Sequence, residues 1–136
     1  MKKNKPAKLT CPYCGKTAVL RKASYVYGPK TPVDYLYVCA GYPACDSYVG
    51  VHTGTTHPKG YLANSELRNK RICTHRIFDQ IWKQGIMSKK DAYRWIQDIF
   101  SLSEKQAHIG FFSEYMCDLL QENCKRVLAN HHIAIS

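Results

Sequence analysis

Acidic residues are scarce in this chain of 136 residues: ten Asp and Glu stand against 20 Lys and Arg, for a formal net charge of +10. No acid occurs before Asp34. A surface of that sign attracts polyanions, nucleic acid first and acidic membranes or proteins second. Long apolar runs are also missing. None approaches the roughly 18 residues of a membrane span, and no apolar stretch follows the basic segment Met1 to Lys8. Neither a membrane helix nor a secretory leader is expected, so the chain reads as soluble and cytoplasmic. No P-loop, Ser/His/Asp set or paired carboxylates can be found, and no catalytic residue is assigned. The length admits one ordinary domain or two very small ones.

The charge is uneven. Residues 1–62 carry nine Lys and Arg against Asp34 and Asp46, whereas residues 63–136 carry eleven against eight acids. The polyanion-facing part is therefore expected in the first half; the plainer reading is a basic surface that serves only solubility. Local patterns divide the chain further. Residues 1–9 read as a flexible basic arm, residues 10–62 as a β unit and residues 63–136 as a helical domain, an α+β architecture with the β unit packed on three or four helices. Thr17 to Tyr27 and Asp34 to Val38 are rich in β-branched and aromatic residues and are predicted strands. Gly28 to Pro32 supplies the turn between them, and a third short strand is predicted near Tyr48 to Val51. From Ser65, Leu67, Thr74, Phe78, Ile81 and Trp82 fall near one helical face, and Gly85 ends that helix. Ser88 to Asp91 resembles a capping box, after which Ala92, Ile96 and Ile99 line a face. Ser103 is placed as the cap of a short turn interrupted by Gly110. Ser113 is placed as the cap of a last helix, Glu114 to Ala129, with Met116, Leu119, Leu120 and Val127 inside.

The cysteines carry the sharpest chemistry. Seven is an odd number, and the pair spacing suits metal better than disulfides in a reducing compartment. Cys11-Pro12-Tyr13-Cys14-Gly15 sets two thiolates two residues apart, within reach of one tetrahedral ion, and the glycine permits the turn that aims backbone N–H groups at sulfur. Cys39 and Cys45 form the second pair, separated from the first by 24 residues, enough for a hairpin to bring the chain back. One structural Zn²⁺ bound by Cys11, Cys14, Cys39 and Cys45 is expected. Four sulfurs close its shell, so no position remains for a substrate. A β unit of this size has too small a core to fold alone, and coordination worth roughly 10–16 kcal/mol supplies what is missing.

Cys11-Pro-x-Cys14-Gly with Cys39-x-x-Tyr42-Pro43-x-Cys45 resembles the C-terminal zinc ribbons of bacterial type I topoisomerases, which bind single-stranded DNA. The resemblance covers about 40 residues, and the longer separation between pairs implies a longer hairpin. The topoisomerase catalytic domains are absent, so strand passage is not implied. Over nearly the whole chain, Tyr42 to His52, Leu62 to Arg68, His75 with Phe78-Asp79, Ala92 to Trp95 and His108 to Gly110 are similar to small zinc-finger-containing proteins of bacteria and their phages. That family has no assigned activity. The resemblance implies a phage or mobile-element context rather than a mechanism.

Eight of the ten tyrosines precede residue 62 and are interleaved with Arg21, Lys22 and Lys30. Rings among cations suit single-stranded nucleic acid, because bases stack on the rings while Lys and Arg follow the phosphates. Strand alternation requires some of these rings to be core. Tyr13, Tyr27 and Tyr42 are the expected exposed ones, with Lys16, Arg21, Lys22 and Lys30 beside them. Arg68, Arg71 and His75 share a helix stripe that suits a phosphate backbone or is simply solvated. His75 and His108 are read as packing residues, and Cys73, Cys117 and Cys124 as core thiols. A further enzyme reading, an HNH-like nuclease using His52 or His57, Asn64 or Asn69, and His75, lacks the opening Asp-His pair. The expected function is non-catalytic nucleic-acid binding, to single-stranded DNA or a DNA/RNA complex. The competing class is an adaptor or inhibitor that docks on a host protein, for which exposed Ile72, Phe111 or Phe112 would speak. The oligomeric state is not set by any motif.

Overall fold

The computed structural model describes residues 7–133. Three strands, β1 (Ala18–Lys22), β2 (Tyr35–Cys39) and β3 (Tyr48–Gly50), form an antiparallel sheet in the order β1-β2-β3. Leu36, Tyr37, Val38 and Cys39 are all buried because β2 is central and covered on both faces. Pairing of Leu20 with Tyr37 and of Tyr37 with Val49 sets the register. On one face Tyr37 and Val49 pack with Cys11, Ala18, Cys39, Val51 and Leu62. On the other, Leu36 and Val38 pack with Ala23, and Val26, Tyr42 and Tyr48 lie against them.

The expected strand from Thr17 to Tyr27 is shorter than its composition suggests. β1 stops at Lys22, and Ser24–Tyr27 forms one helical turn, α1. Ala23 at the junction is fully buried, and its N–H donates to the Asp34 carbonyl at 2.9 Å. The chain must reverse there to reach β2, and a helical turn ended by Gly28 at φ +91 does so while laying Tyr25 and Tyr27 over the sheet. The basic arm also begins earlier than expected to be held. Ala7 N–H donates to Tyr37 Oη at 2.8 Å and the Leu9 carbonyl accepts from Ala18 N–H; residues 1–6 lie outside the described residues. Tyr37 also donates to the Thr56 carbonyl, so one buried phenol ties the N-terminal segment and the 52–62 connector to the sheet.

The chain divides into two compact units, Met1–Glu66 and Leu67–Ser136. The second contains most of α2 (Ser65–Lys83), with α3 (Lys89–Phe100) and α4 (Glu114–Asn130), and two short 3-10 turns, Lys105–Ala107 and Ile109–Phe111. The caps are where the sequence places them. Ser88 Oγ accepts from Asp91 N–H at 3.0 Å, Ser113 Oγ from Met116 N–H at 3.2 Å, and Ser103 Oγ from Gln106 N–H at 3.3 Å. Gly110 sits inside the second 3-10 turn rather than breaking one. Thr74, Phe78 and Ile81 of α2 are buried, and Trp82 is only half-buried. The buried stripe of α4 is Cys117, Leu120, Cys124 and Leu128; Met116, Leu119 and Val127 flank it. Cys117 and Cys124 are core thiols as expected, but Cys73 is exposed, one position short of the buried Thr74.

Candidate metal centre

The first knuckle is built by short-range backbone bonds. Cys11 N–H donates to the Lys16 carbonyl at 2.8 Å, Gly15 N–H donates to the Cys11 carbonyl at 2.9 Å, and Gly15 takes φ +80. The second pair lies in the loop between β2 and β3. Tyr42 N–H donates to the Cys39 carbonyl at 2.9 Å and Cys45 N–H to the Gly41 carbonyl at 3.0 Å. A Cβ on Gly41 would come within 3.2 Å of the Lys16 side chain, so the Lys16 stem lies across this loop.

These turns bring the four sulfurs within 4.8 Å of one another. Cys11 Sγ lies 3.6 Å from Cys45 Sγ, and Cys14 Sγ lies 3.3 Å from Cys39 Sγ. A tetrahedron with Zn–S of about 2.3 Å sets its sulfurs about 3.8 Å apart, so the quartet fits one Zn²⁺ with little movement. Surrounding groups favour sulfur anions. Gly41 N–H donates to Cys39 Sγ at 3.4 Å, and Ser47, fully buried, places Oγ 3.6 Å from Cys45 Sγ. Burial pushes the Cys11 thiol up, but the Cys14 and Tyr13 backbone N–H groups, with Ser47 and Cys45, outweigh it and hold the thiol down at about 6. Burial pushes Cys39 up to about 12, and the neighbouring sulfurs of Cys14, Cys45 and Cys11 add to this against the Gly41 N–H. One thiolate forms readily and the next is opposed by its neighbours, a conflict that a divalent cation among them removes. Among the described residues no other group of three or more His, Cys, Asp or Glu side chains is close enough to hold a metal.

A family model for a zinc-finger-containing domain matches residues 7–127. The chain belongs to this zinc-finger-containing family. No curated protein and no solved structure matches it. In this zinc-finger domain the four cysteines hold one structural zinc ion. An ion held by these four sulfurs would cross-link the knuckle to the β2–β3 loop and leave no position for a substrate.

The other residues singled out in the sequence are placed as follows. Tyr13 and Tyr27 are exposed, and Tyr42 is half-buried. Tyr13 Oη accepts from Asn64 N–H at 3.2 Å, which pins the end of the connector against the knuckle. Tyr27 and Tyr42 belong to a chain of rings. Centroids lie 5.7 Å apart for Tyr25–Tyr42, 6.5 Å for Tyr42–Tyr48 and 5.7 Å for Tyr27–Tyr48. The Arg21 guanidinium lies over the Tyr25 ring, 4.3 Å from its centroid. Lys16, Lys22 and Lys30 are exposed. In the helical unit Arg68 and Arg71 are half-buried, and Arg71 Nε donates to the Phe112 carbonyl at 3.1 Å, fastening α2 to the second 3-10 turn. His75 is not a packing residue: it is half-exposed and faces Asp79 Oδ1 at 3.3 Å, one turn along α2. His108 is also exposed, with its ring 6.0 Å from that of Tyr93. Tyr25 and Tyr48 belong to the eight tyrosines of the first half but are not among those expected to be exposed, and Ser47 is not among the residues singled out in the sequence. The ring chain depends on α1 and on the loop that contains Tyr42, neither of which strand alternation reveals. Ser47 had a signal, since it lies two residues after Cys45.

Proposed function

We propose that the zinc-built sheet binds single-stranded nucleic acid, DNA or a DNA/RNA complex, without catalysis, in a phage or mobile-element setting. The observation that carries this reading is the ring chain Tyr25–Tyr42–Tyr48–Tyr27 with Arg21 stacked at its end. Half of the Tyr25 and Tyr27 surface is open, at 50% and 49% exposure, so bases have ring faces to meet. Stacking contributes roughly 1–3 kcal/mol per base and tolerates any sequence. Arg21 Nε is buried and has no hydrogen-bond partner among the described residues, while exposed Lys22 and Lys30 supply charge for phosphates. Zinc acts indirectly, because Tyr42 lies between two of its ligands.

Fluorescence anisotropy of the whole chain with labelled single-stranded DNA, duplex DNA and RNA across a salt series tests this. Binding to single strands should exceed that to duplex, and log K should fall linearly with log salt, by about 0.7 per phosphate contacted. The Tyr25→Ala/Tyr27→Ala pair should weaken binding at least tenfold while leaving the salt slope in place. Absence of binding to all three at low salt would defeat the reading. Of the residues that would favour an adaptor instead, Ile72 is exposed, Phe111 is half-buried and Phe112 is fully buried. Exposed Ile72, at 53%, is what favours that second reading; a pull-down from nuclease-treated lysate that keeps a protein partner would choose it.

A further inference from the structure

The helical unit has a cleft that the zinc-finger reading does not use. It has a volume of about 600 Å³ and is lined by Lys89, Lys90, Tyr93, Arg94 and Gln97 of α3, with Glu104 and His108 from the segment that follows. Two lysines and an arginine share this lining with one carboxylate. Lys90 and Arg94 are one helical turn apart and so stand side by side. Lys89 Nζ lies 5.0 Å from the Trp82 ring centroid, which anchors that chain at the rim. Asp91 reaches Arg94 only at 3.8 Å, and both side chains are about 60% exposed; such a pair is too weak to keep a guanidinium from a phosphate. Two rings, Tyr93 and His108, also line it. Tyr93 is held edge-on by Phe78 at 5.0 Å, and its ring centroid lies 6.0 Å from that of His108. Burial, with the nearby Asp79 charge, pushes the Tyr93 phenol up, so it remains a neutral hydrogen-bond donor. Gln97 adds an amide that both donates and accepts.

The size lies within the range of small-molecule sites and is far larger than a bare phosphate needs. Cations, two rings and an amide around one cleft match a ligand with an anionic end and a flat, hydrogen-bonding end. We propose that this cleft binds a nucleoside phosphate, with the phosphate on Lys90 and Arg94 and the base against Tyr93 and His108. A free nucleotide and the phosphorylated end of a strand share this chemistry. The proposal uses none of the residues on which the sheet reading rests.

Isothermal titration of the whole chain with adenosine monophosphate, uridine monophosphate, adenosine and inorganic phosphate tests it. The nucleotides should bind at least about tenfold more tightly than adenosine or phosphate, since each of those offers only half of the ligand. Lys90→Ala/Arg94→Ala should lose tenfold or more, and Tyr93→Leu should weaken nucleotides but not inorganic phosphate. Lys125→Ala on the exposed side of α4 should change nothing here. A trinucleotide with and without a 5′-phosphate identifies the source: tighter binding than the mononucleotide, dependent on that phosphate, assigns strand ends, and weaker binding assigns free nucleotides. Failure of the nucleotides to bind, equal binding of nucleotide and inorganic phosphate, or full affinity in Lys90→Ala/Arg94→Ala would overturn the proposal.

Discussion

At Ser47 a fully buried hydroxyl faces the sulfur of Cys45. A thiol there donates to Ser47 Oγ; a metal-bound thiolate accepts from it instead. Groups in this position commonly account for about 10–100-fold in metal affinity. Ser47→Ala should therefore lower zinc affinity by that factor in a chelator competition, with the fold intact at saturating zinc. The three remaining cysteines should separate by reactivity. Cys73 is exposed, whereas burial raises the thiol pKa of both Cys117 and Cys124, the latter to about 12. In the zinc-loaded protein an alkylating reagent should modify Cys73 rapidly and the other two only after unfolding. The Cys124 shift also has a stability consequence. As pH rises past the ordinary thiol range, the unfolded chain loses this proton while the folded chain keeps it. Its contribution is thus complete below about pH 8.5 and is lost progressively toward about pH 12. Urea midpoints should fall with alkaline pH, and less steeply in Cys124→Ala.

Within the helical unit the buried Thr74 links α2 to α4. Its hydroxyl donates to the Lys70 carbonyl at 2.7 Å and accepts from Gln121 Nε2 at 2.8 Å. Thr74→Val keeps the shape but leaves the Gln121 amide without this acceptor, a loss of about 1–3 kcal/mol in denaturant unfolding. Ser113→Ala removes the α4 cap and should cost about 1 kcal/mol by the same measurement. At this scale the helices were legible because caps are local: Ser88 and Ser113 each bond three residues ahead. The α1 turn was not, because Tyr25 and Val26 are good strand residues. Reversal of the chain at buried Ala23, a contact with Asp34 eleven positions away, overrides that preference.

At the scale of the molecule, zinc and core carry different parts of the structure. The unit Met1–Glu66 holds the metal site and a sheet of three short strands, whereas the unit Leu67–Ser136 has its own buried stripes on three helices. Chelation should therefore remove the β signal, and with it single-strand binding, while far-UV circular dichroism retains most of its helical intensity. Loss of the helical signal in the same step would show that the two units fold as one.

The zinc ligands were set by sequence alone. Two thiolates at a Cys-x-x-Cys spacing can meet one ion whatever the rest of the chain does, and a second pair needs only enough chain to return. Which tyrosines form a surface was decided by tertiary structure, because it depends on where strands end. Tyr37, identical in kind to its neighbours, is buried as an anchor, while Tyr25, Tyr42, Tyr48 and Tyr27 gather from a helical turn, a metal-bound loop and a strand. The cleft beside α3 arises in the same way, from the return of the segment holding Glu104 and His108. Ligation rests on local spacing, which a sequence displays; surfaces rest on long-range contacts, which only the folded chain completes.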